Sequence, residues 1–203
     1  GSAGTYVLVL SANDSELSGS DTVTIVVDSE DDDYQNIPLQ SSITGVQPMT
    51  GIVLWTDSDY RDTDTVQLEY AYMAYNDIVN QKDQYDWSGV DSLLDQVAGR
   101  GHQAILRFYF VYPGQRTTVP QYIKDSEGYA ETQGTTEGQT TWFPDWSFTE
   151  LQSFTFGFFS QFAQRYDTDP RLAFLQVGFG LWAEYHIYDG PMQLGKTFPS
   201  KDF

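Results

Sequence analysis

Ala104 to Val111 is a continuous apolar run broken only by Arg107. It follows a helical stripe, Val90, Leu93, Leu94 and Val97, at i, i+3, i+4 and i+7. A strand that is apolar on both faces belongs to a sheet covered on both faces, which is the habit of parallel sheets with helical crossovers. Ser88-x-x-Asp91 reads as a capping box for the helix, and Gly99 and Gly101 end it. The unit recurs downstream. Ser147-x-x-Glu150 opens a second helix with Leu151, Phe154, Phe158, Phe159 and Phe162 on its buried face, and Asp169-Pro170 closes it. Leu172 to Leu181 is then another apolar strand, in which Gly178 and Gly180 permit close backbone approach. Gly51 to Trp55 and Val66 to Met73 read as two earlier strands. This alternation predicts an α/β fold, either a barrel or an open doubly wound sheet. No Gly-rich phosphate loop follows the first strand, which argues against a nucleotide-binding sheet.

The N-terminal segment has a different period. Thr5 to Leu10 and Thr22 to Val27 are rich in β-branched residues and flank the polar turn Ala12 to Gly19, a β-hairpin signal. Gly4-Thr5-Tyr6-Val7-Leu8 followed by Asp21 to Val27 resembles the last two strands of polycystic-kidney-disease or cadherin-like immunoglobulin modules, which sit beside catalytic domains in secreted polysaccharide-degrading enzymes. Asp28-Ser29-Glu30-Asp31-Asp32-Asp33 reads as a self-repelling acidic linker, with a structural calcium site as the alternative. The Gly1-Ser2 start, with a strand following at once, reads as a processed, trimmed or partial terminus.

With 29 Asp and Glu against 10 Lys and Arg, the formal charge is −19. That opposes binding to nucleic acid or anionic membrane, since phosphate is held by Lys and Arg. The chain has no Cys, which excludes disulfides, thiolate catalysis and Cys-ligated zinc. It holds no apolar stretch of the roughly 20 residues that span a bilayer as a helix. No cofactor motif is evident. The balance fits a secreted or cell-surface protein.

The segment with most chemistry is Gly178-Phe179-Gly180-Leu181-Trp182-Ala183-Glu184-Tyr185-His186. A carboxylate directly after a parallel strand points to the carboxyl-end mouth, where sites of such folds lie. Trp182 and Tyr185 beside Glu184 would desolvate it, which suits a general acid, and their rings can stack on sugars. Arg107 lies within an apolar strand, where burial requires a partner: a carboxylate at the mouth, a substrate, or Glu69. His186 can orient Glu184 or bind sugar. Tyr112 follows the third strand and Trp142 lies in the long crossover after it, where they either form a platform for sugar stacking or pack that loop on the rim of the fold. His102, at the start of a strand, reads as structural, and Asp57, Asp59 and Arg61 as a solvated loop.

Tyr85-Asp86-Trp87-Ser88 through Leu93-Leu94, then Arg100-Gly101-His102-Gln103-Ala104-Ile105-Leu106-Arg107, resembles the second helix and third strand of clan-A glycoside hydrolases of the β-galactosidase-like kind. Gly180 to His186 is similar to the Gly-x-Trp-Gly-Glu-x-His segment of uncharacterised bacterial barrel proteins. The resemblance implies the first four βα units of a (β/α)8 TIM barrel, with Glu184 as the catalytic acid/base after the fourth strand. Beside it, the reading of the residues expects a substrate subsite of Arg107, Trp182, Tyr185, His186, Tyr112 and Trp142. Ala183 stands where most of that clan has Asn, and the clan's nucleophile, after a seventh strand, has no counterpart before Phe203. The expected organisation is therefore the end of an Ig-like module over residues 1–28, a linker over 29–36 and the N-terminal half of a barrel over 37–203. The missing barrel half, or neighbouring chains, would complete it, and the chain alone would not fold as a monomer. The expected function is glycoside hydrolysis on a polysaccharide or oligosaccharide, the alternative a non-catalytic carbohydrate-binding or surface-assembly protein.

Overall fold

A computed structural model describes residues 4–13, 18–27 and 52–203 of the chain. Two units are resolved by contact, Gly1–Ser42 and Ile43–Phe203. In the first, β1 (Gly4–Asn13) pairs antiparallel with β2 (Ser18–Val27), from Gly4 opposite Val27 to Asn13 opposite Ser18. Val7, Leu8, Val9, Val23 and Val26 are all exposed. The acidic linker, with its candidate calcium site, lies outside the described residues.

The second unit is built on four parallel strands in the order β3-β4-β5-β8: β3 (Val53–Trp55), β4 (Leu68–Ala74), β5 (Gln103–Tyr109) and, after the crossover described below, β8 (Leu172–Gln176). Register pairs Trp55 with Tyr70, Tyr72 with Arg107, and Arg107 with Gln176. Between β4 and β5 run α1 (Tyr75–Ile78) and α2 (Ser88–Gly99). Between β5 and β8 lie α3 (Gln121–Lys124), the antiparallel hairpin of β6 (Thr132–Thr136) and β7 (Gln139–Phe143), and α4 (Thr149–Tyr166).

This arrangement overturns the expectation of four barrel βα units. The connection from β3 to β4 carries no helix. Residues 56–67 hold four Asp and three Thr, whose side chains compete for backbone groups and favour turns. The crossover from β5 to β8 spends ten residues on an antiparallel hairpin, and β3 and β8 are the edge strands of the described sheet. The result is an open mixed α/β unit.

Alternation along the strands splits the sheet into two faces. Ala71, Leu106 and Phe108 face the core with α2 and α4, where Val90, Leu94, Val97, Leu151, Phe154, Phe158 and Phe162 are buried. Tyr75 stacks on Phe110 at 3.9 Å between centroids, and Phe158 meets Phe108 edge-on at 4.8 Å. Each such pair adds roughly 0.5–1.5 kcal/mol beyond its buried area. Truncating Phe158 to Ala would cost about 3–5 kcal/mol. The other face presents Tyr70, Tyr72, Arg107, Phe174 and Gln176, which are half-buried or exposed.

Neither predicted capping box forms. Ser88 and Ser147 make no side-chain cap. Asp86 and Asp145, two residues upstream of each, accept from the Ser88 and Ser147 amides at 3.0 Å instead. A short acid reaching two residues forward is an Asx turn, and it leads the chain into each helix.

Glu69 does not pair with Arg107, because it points to the opposite face of β4. There it is fully buried and takes Arg100 bidentately at 2.8 and 2.7 Å, with His102 Nδ1 at 2.7 Å. His102 Nε2 lies 2.8 Å from the Thr63 carbonyl, so the cluster ties the β3–β4 loop to β4 and β5. His102 is structural, as its position in the sequence suggests.

Candidate functional site

The predicted fourth strand ends early. β8 stops at Gln176, and Gly178 to His186 folds back on itself. Gly180 N donates to Glu184 O at 2.7 Å and Leu181 N to His186 O at 3.0 Å. A Cβ on Gly178 would lie 2.0 Å from the Ala183 carbonyl oxygen, and one on Gly180 2.0 Å from that of His186. Only glycine fits either place. The close approach is thus to the loop's own return arm, not to a barrel interior.

The reversal is made by Trp182 and Ala183, with φ of 52° and 56°, and Glu184 N donates to Leu181 O at 2.9 Å. Two consecutive positive-φ residues suit Gly, Asn or Asp. A Trp and an Ala there store strain of about 1–3 kcal/mol each, held by the surrounding bonds. Trp182 N donates to Val111 O at 3.0 Å, which anchors the turn to the chain leaving β5.

Glu184 leaves this turn toward the open face of the sheet. Its Oε1 accepts from Arg107 Nη1 at 3.1 Å, and its Oε2 lies 3.0 Å from His186 Nε2. The carboxylate is 41% exposed. Arg107 also donates from Nη1 to the Trp182 carbonyl at 3.2 Å, and from Nε and Nη2 to Gln176 Oε1 at 3.1 and 2.6 Å. Its guanidinium lies 5.4 and 5.6 Å from the ring centroids of Tyr70 and Tyr72, a cation–π distance.

A cleft of about 690 Å³ lies beside this network, lined by Trp55, Thr56, Asp57, Ala71, Tyr72, Leu93, Tyr109, Tyr112 and Trp182. A smaller hollow of about 310 Å³ is lined by Trp55, Tyr70, Tyr72, Arg107, Gln176 and Glu184, among others. The two share Trp55 and Tyr72. Trp55 meets Tyr70 edge-on at 4.9 Å, and Trp182 stacks on Tyr188 at 6.0 Å. Burial, with the charge of Tyr72 next, pushes the Tyr70 phenol well above its ordinary value, so it stays protonated and donates a hydrogen bond to Gln176 Oε1 at 2.8 Å. A hydrogen bond to Glu137 raises Tyr188 to about 12.

Of the residues singled out in the sequence, the structure brings together Glu184, Arg107, His186, Trp182 and Tyr112. Tyr185 is set apart: it is 70% exposed, and among the described residues its one ring contact is Phe179 at 6.3 Å. Trp142 lies on β7 beneath Arg116, whose guanidinium is 4.2 Å from its ring centroid, and lines neither hollow. The residues that sequence reasoning missed are Gln176, Tyr72, Tyr109 and Trp55, together with Asp57, which lines the larger cleft. Tyr70 and Tyr72, like Arg107 and Tyr109, are spaced i, i+2, the signal that would have placed each pair on one face. Among the described residues no group of three His, Asp or Glu is arranged to hold a metal ion, and no helix is long and apolar enough to cross a membrane.

No family model matches this chain, and a search of curated proteins returns no match.

Proposed function

We propose that this face of the sheet binds a polysaccharide or oligosaccharide, in a secreted or cell-surface setting. The reading is carried by one observation: Trp55, Tyr72, Tyr109, Tyr112 and Trp182 line a single cleft next to Arg107, Glu184, His186 and Gln176. A pyranose ring has C–H-rich faces and hydroxyls around its edge. Aromatic walls bury the former, and a few fixed polar groups orient the latter. The charge of −19 and the lack of a cationic cluster argue against a nucleic-acid ligand.

Hydrolysis with Glu184 as general acid is the second reading, favoured by the position of that carboxylate at the cleft. The geometry supports it less. Both Glu184 oxygens are engaged, one by Arg107 and one by His186, so a proton could be handed to a ligand only by breaking a contact. A retaining glycosidase also needs a second carboxyl about 5–5.5 Å away. The one other acid among the described lining residues, Asp57, belongs to the larger hollow, and Glu184 to the smaller.

Titration with a panel of oligosaccharides, followed by tryptophan fluorescence and calorimetry, tests the proposal. Binding that Trp182→Ala and Tyr72→Ala each weaken is the expected result. No binding across the panel, or binding indifferent to both changes, would overturn it. Release of shorter sugars by the wild type and not by Glu184→Gln would move the assignment from binding to hydrolysis.

A further inference from the structure

We propose that the cleft selects neutral glycans over uronic or sulfated ones, and that Gln176 supplies the fixed donor that reads a sugar hydroxyl. The proposal rests on the carbohydrate reading above and deepens it.

The argument begins with the guanidinium. Arg107 has five N–H groups. Two on Nη1 go to Trp182 O and Glu184 Oε1, while Nε and one on Nη2 go to Gln176 Oε1. Four of the five are spent inside the protein, and the charge is matched by Glu184 at 3.1 Å. Among the described residues that line the two hollows there is no other Arg and no Lys, and besides Glu184, which matches Arg107, there is one further carboxylate, Asp57. A sugar carboxylate or sulfate entering here would meet the unmatched charge of Asp57 and no free cation, an arrangement that disfavours such ligands.

The same bonds determine which way Gln176 faces. Its Oε1 accepts from Arg107 Nε, Arg107 Nη2 and Tyr70 Oη, at 3.1, 2.6 and 2.8 Å. All three partners are donors, and Arg107 can be nothing else. The reversed amide would set NH2 against N–H, so chemistry assigns the orientation. Oε1 is thereby saturated. Nε2 has no partner among the described residues, on a side chain that is exposed and lines the smaller hollow with Glu184. Two N–H groups are left for a ligand, held in place by an arginine and a tyrosine. A donor pair of this kind fits the oxygen of a hydroxyl, and Glu184 beside it can accept that hydroxyl's proton.

The test pairs each bound neutral oligosaccharide with its C6-oxidised, uronic form and with a series of its monodeoxy forms, on the full chain and on Gln176→Glu. The Glu side chain keeps an oxygen for Arg107 and Tyr70, replaces the Nε2 donors with a second oxygen and adds a negative charge beside Glu184. The loss of discrimination between the parent sugar and its monodeoxy form, not the loss of affinity alone, therefore reads the donor. Expected are binding of the neutral form and at least about tenfold weaker binding of the oxidised form. One monodeoxy position should lose about tenfold, the worth of a good hydrogen bond. Gln176→Glu should lose about as much on the parent sugar and no longer distinguish that monodeoxy form. Equal or tighter binding of the uronic form, equal binding of every monodeoxy form by the wild type, or undiminished binding by Gln176→Glu overturns this proposal and leaves carbohydrate binding standing. Failure of every glycan to bind the wild type removes both. Should Gln176→Glu not fold, as thermal melting would reveal, the deoxy and uronic series on the wild type decide alone.

Discussion

Arg107 and Glu184, 77 residues apart in the chain, meet at 3.1 Å, and the guanidinium that holds the carboxylate also holds the Trp182 carbonyl behind it. One side chain from β5 thus braces both the turn and the acid that the turn presents. A lysine carries the charge but not the planar fork, and cannot reach Gln176, Trp182 and Glu184 together. Arg107→Lys should therefore weaken oligosaccharide binding by about tenfold or more. Because the two side chains are 15% and 41% exposed, their pairing contributes little to stability, at most about 1 kcal/mol. Calorimetric titration beside a thermal melt separates the two effects. Unchanged affinity would show that Arg107 does not brace the site.

Glu69 has the opposite profile. It is fully buried, takes no part in either hollow, and neutralises Arg100 while facing His102. Removing one partner of a buried ion pair leaves the other uncompensated, at a cost of about 3–5 kcal/mol. Glu69→Ala should lower the unfolding free energy measured in urea by that amount, a large part of the roughly 5–15 kcal/mol that holds a domain together. The loss should come without any specific effect on ligand preference in whatever fraction remains folded.

Gly180 and Gly99 make a matched pair. An alanine Cβ at Gly180 would collide with the His186 carbonyl at 2.0 Å, and that backbone carries the Leu181 bond which closes the Glu184 loop. At Gly99, the last residue of α2, a Cβ meets nothing within 4 Å. Gly180→Ala should destabilise by about 1–3 kcal/mol and displace Glu184, with loss of binding. Gly99→Ala should be neutral or gain up to about 1 kcal/mol from helix propensity. Melting curves of the two variants give the comparison directly.

These residues also mark how far the sequence could be read. The period of 3.6 located α2 and α4, a continuous apolar run located β5 and a Tyr-rich one β4, and a lone arginine in an apolar strand and a carboxylate just past another pointed to Arg107 and Glu184. Tyr185 was misplaced because two left-handed residues, Trp182 and Ala183, reverse the chain before it, and nothing in a Trp-Ala pair announces a positive φ. Gln176 was invisible for another reason. Its role comes from a register that sets it beside Arg107, 69 positions earlier, and register between distant strands is a tertiary property. The barrel failed on the β3–β4 connection, whose Asp57, Asp59 and Arg61 read as a solvated loop but were not weighed against the helix that a barrel unit requires there.

Acid should unfold the second unit through its aspartates. Arg171, through its hydrogen bonds to Asp169, holds that carboxyl below the ordinary value of 3.8, and Arg165 does the same for Asp91 on α2. For Asp145, burial pushes upward, but Lys196 and Ser147 outweigh it and the net direction is again down. Each group binds its proton more readily in the unfolded chain than in the native one. Its contribution is therefore complete above the unfolded value, near pH 4, and disappears as pH falls through the depressed native values. Stability in urea should be flat on this account from neutral pH to about 4.5 and should drop steeply between about pH 4 and 2. Asp169 is the cleanest probe, since its side chain is only 12% exposed and it meets Arg171 through both oxygens. Asp169→Asn should lower stability at pH 7 and make the acid limb shallower. An acid limb as steep in that variant as in the wild type would remove Asp169 from the account and leave Asp91 and Asp145 to carry it.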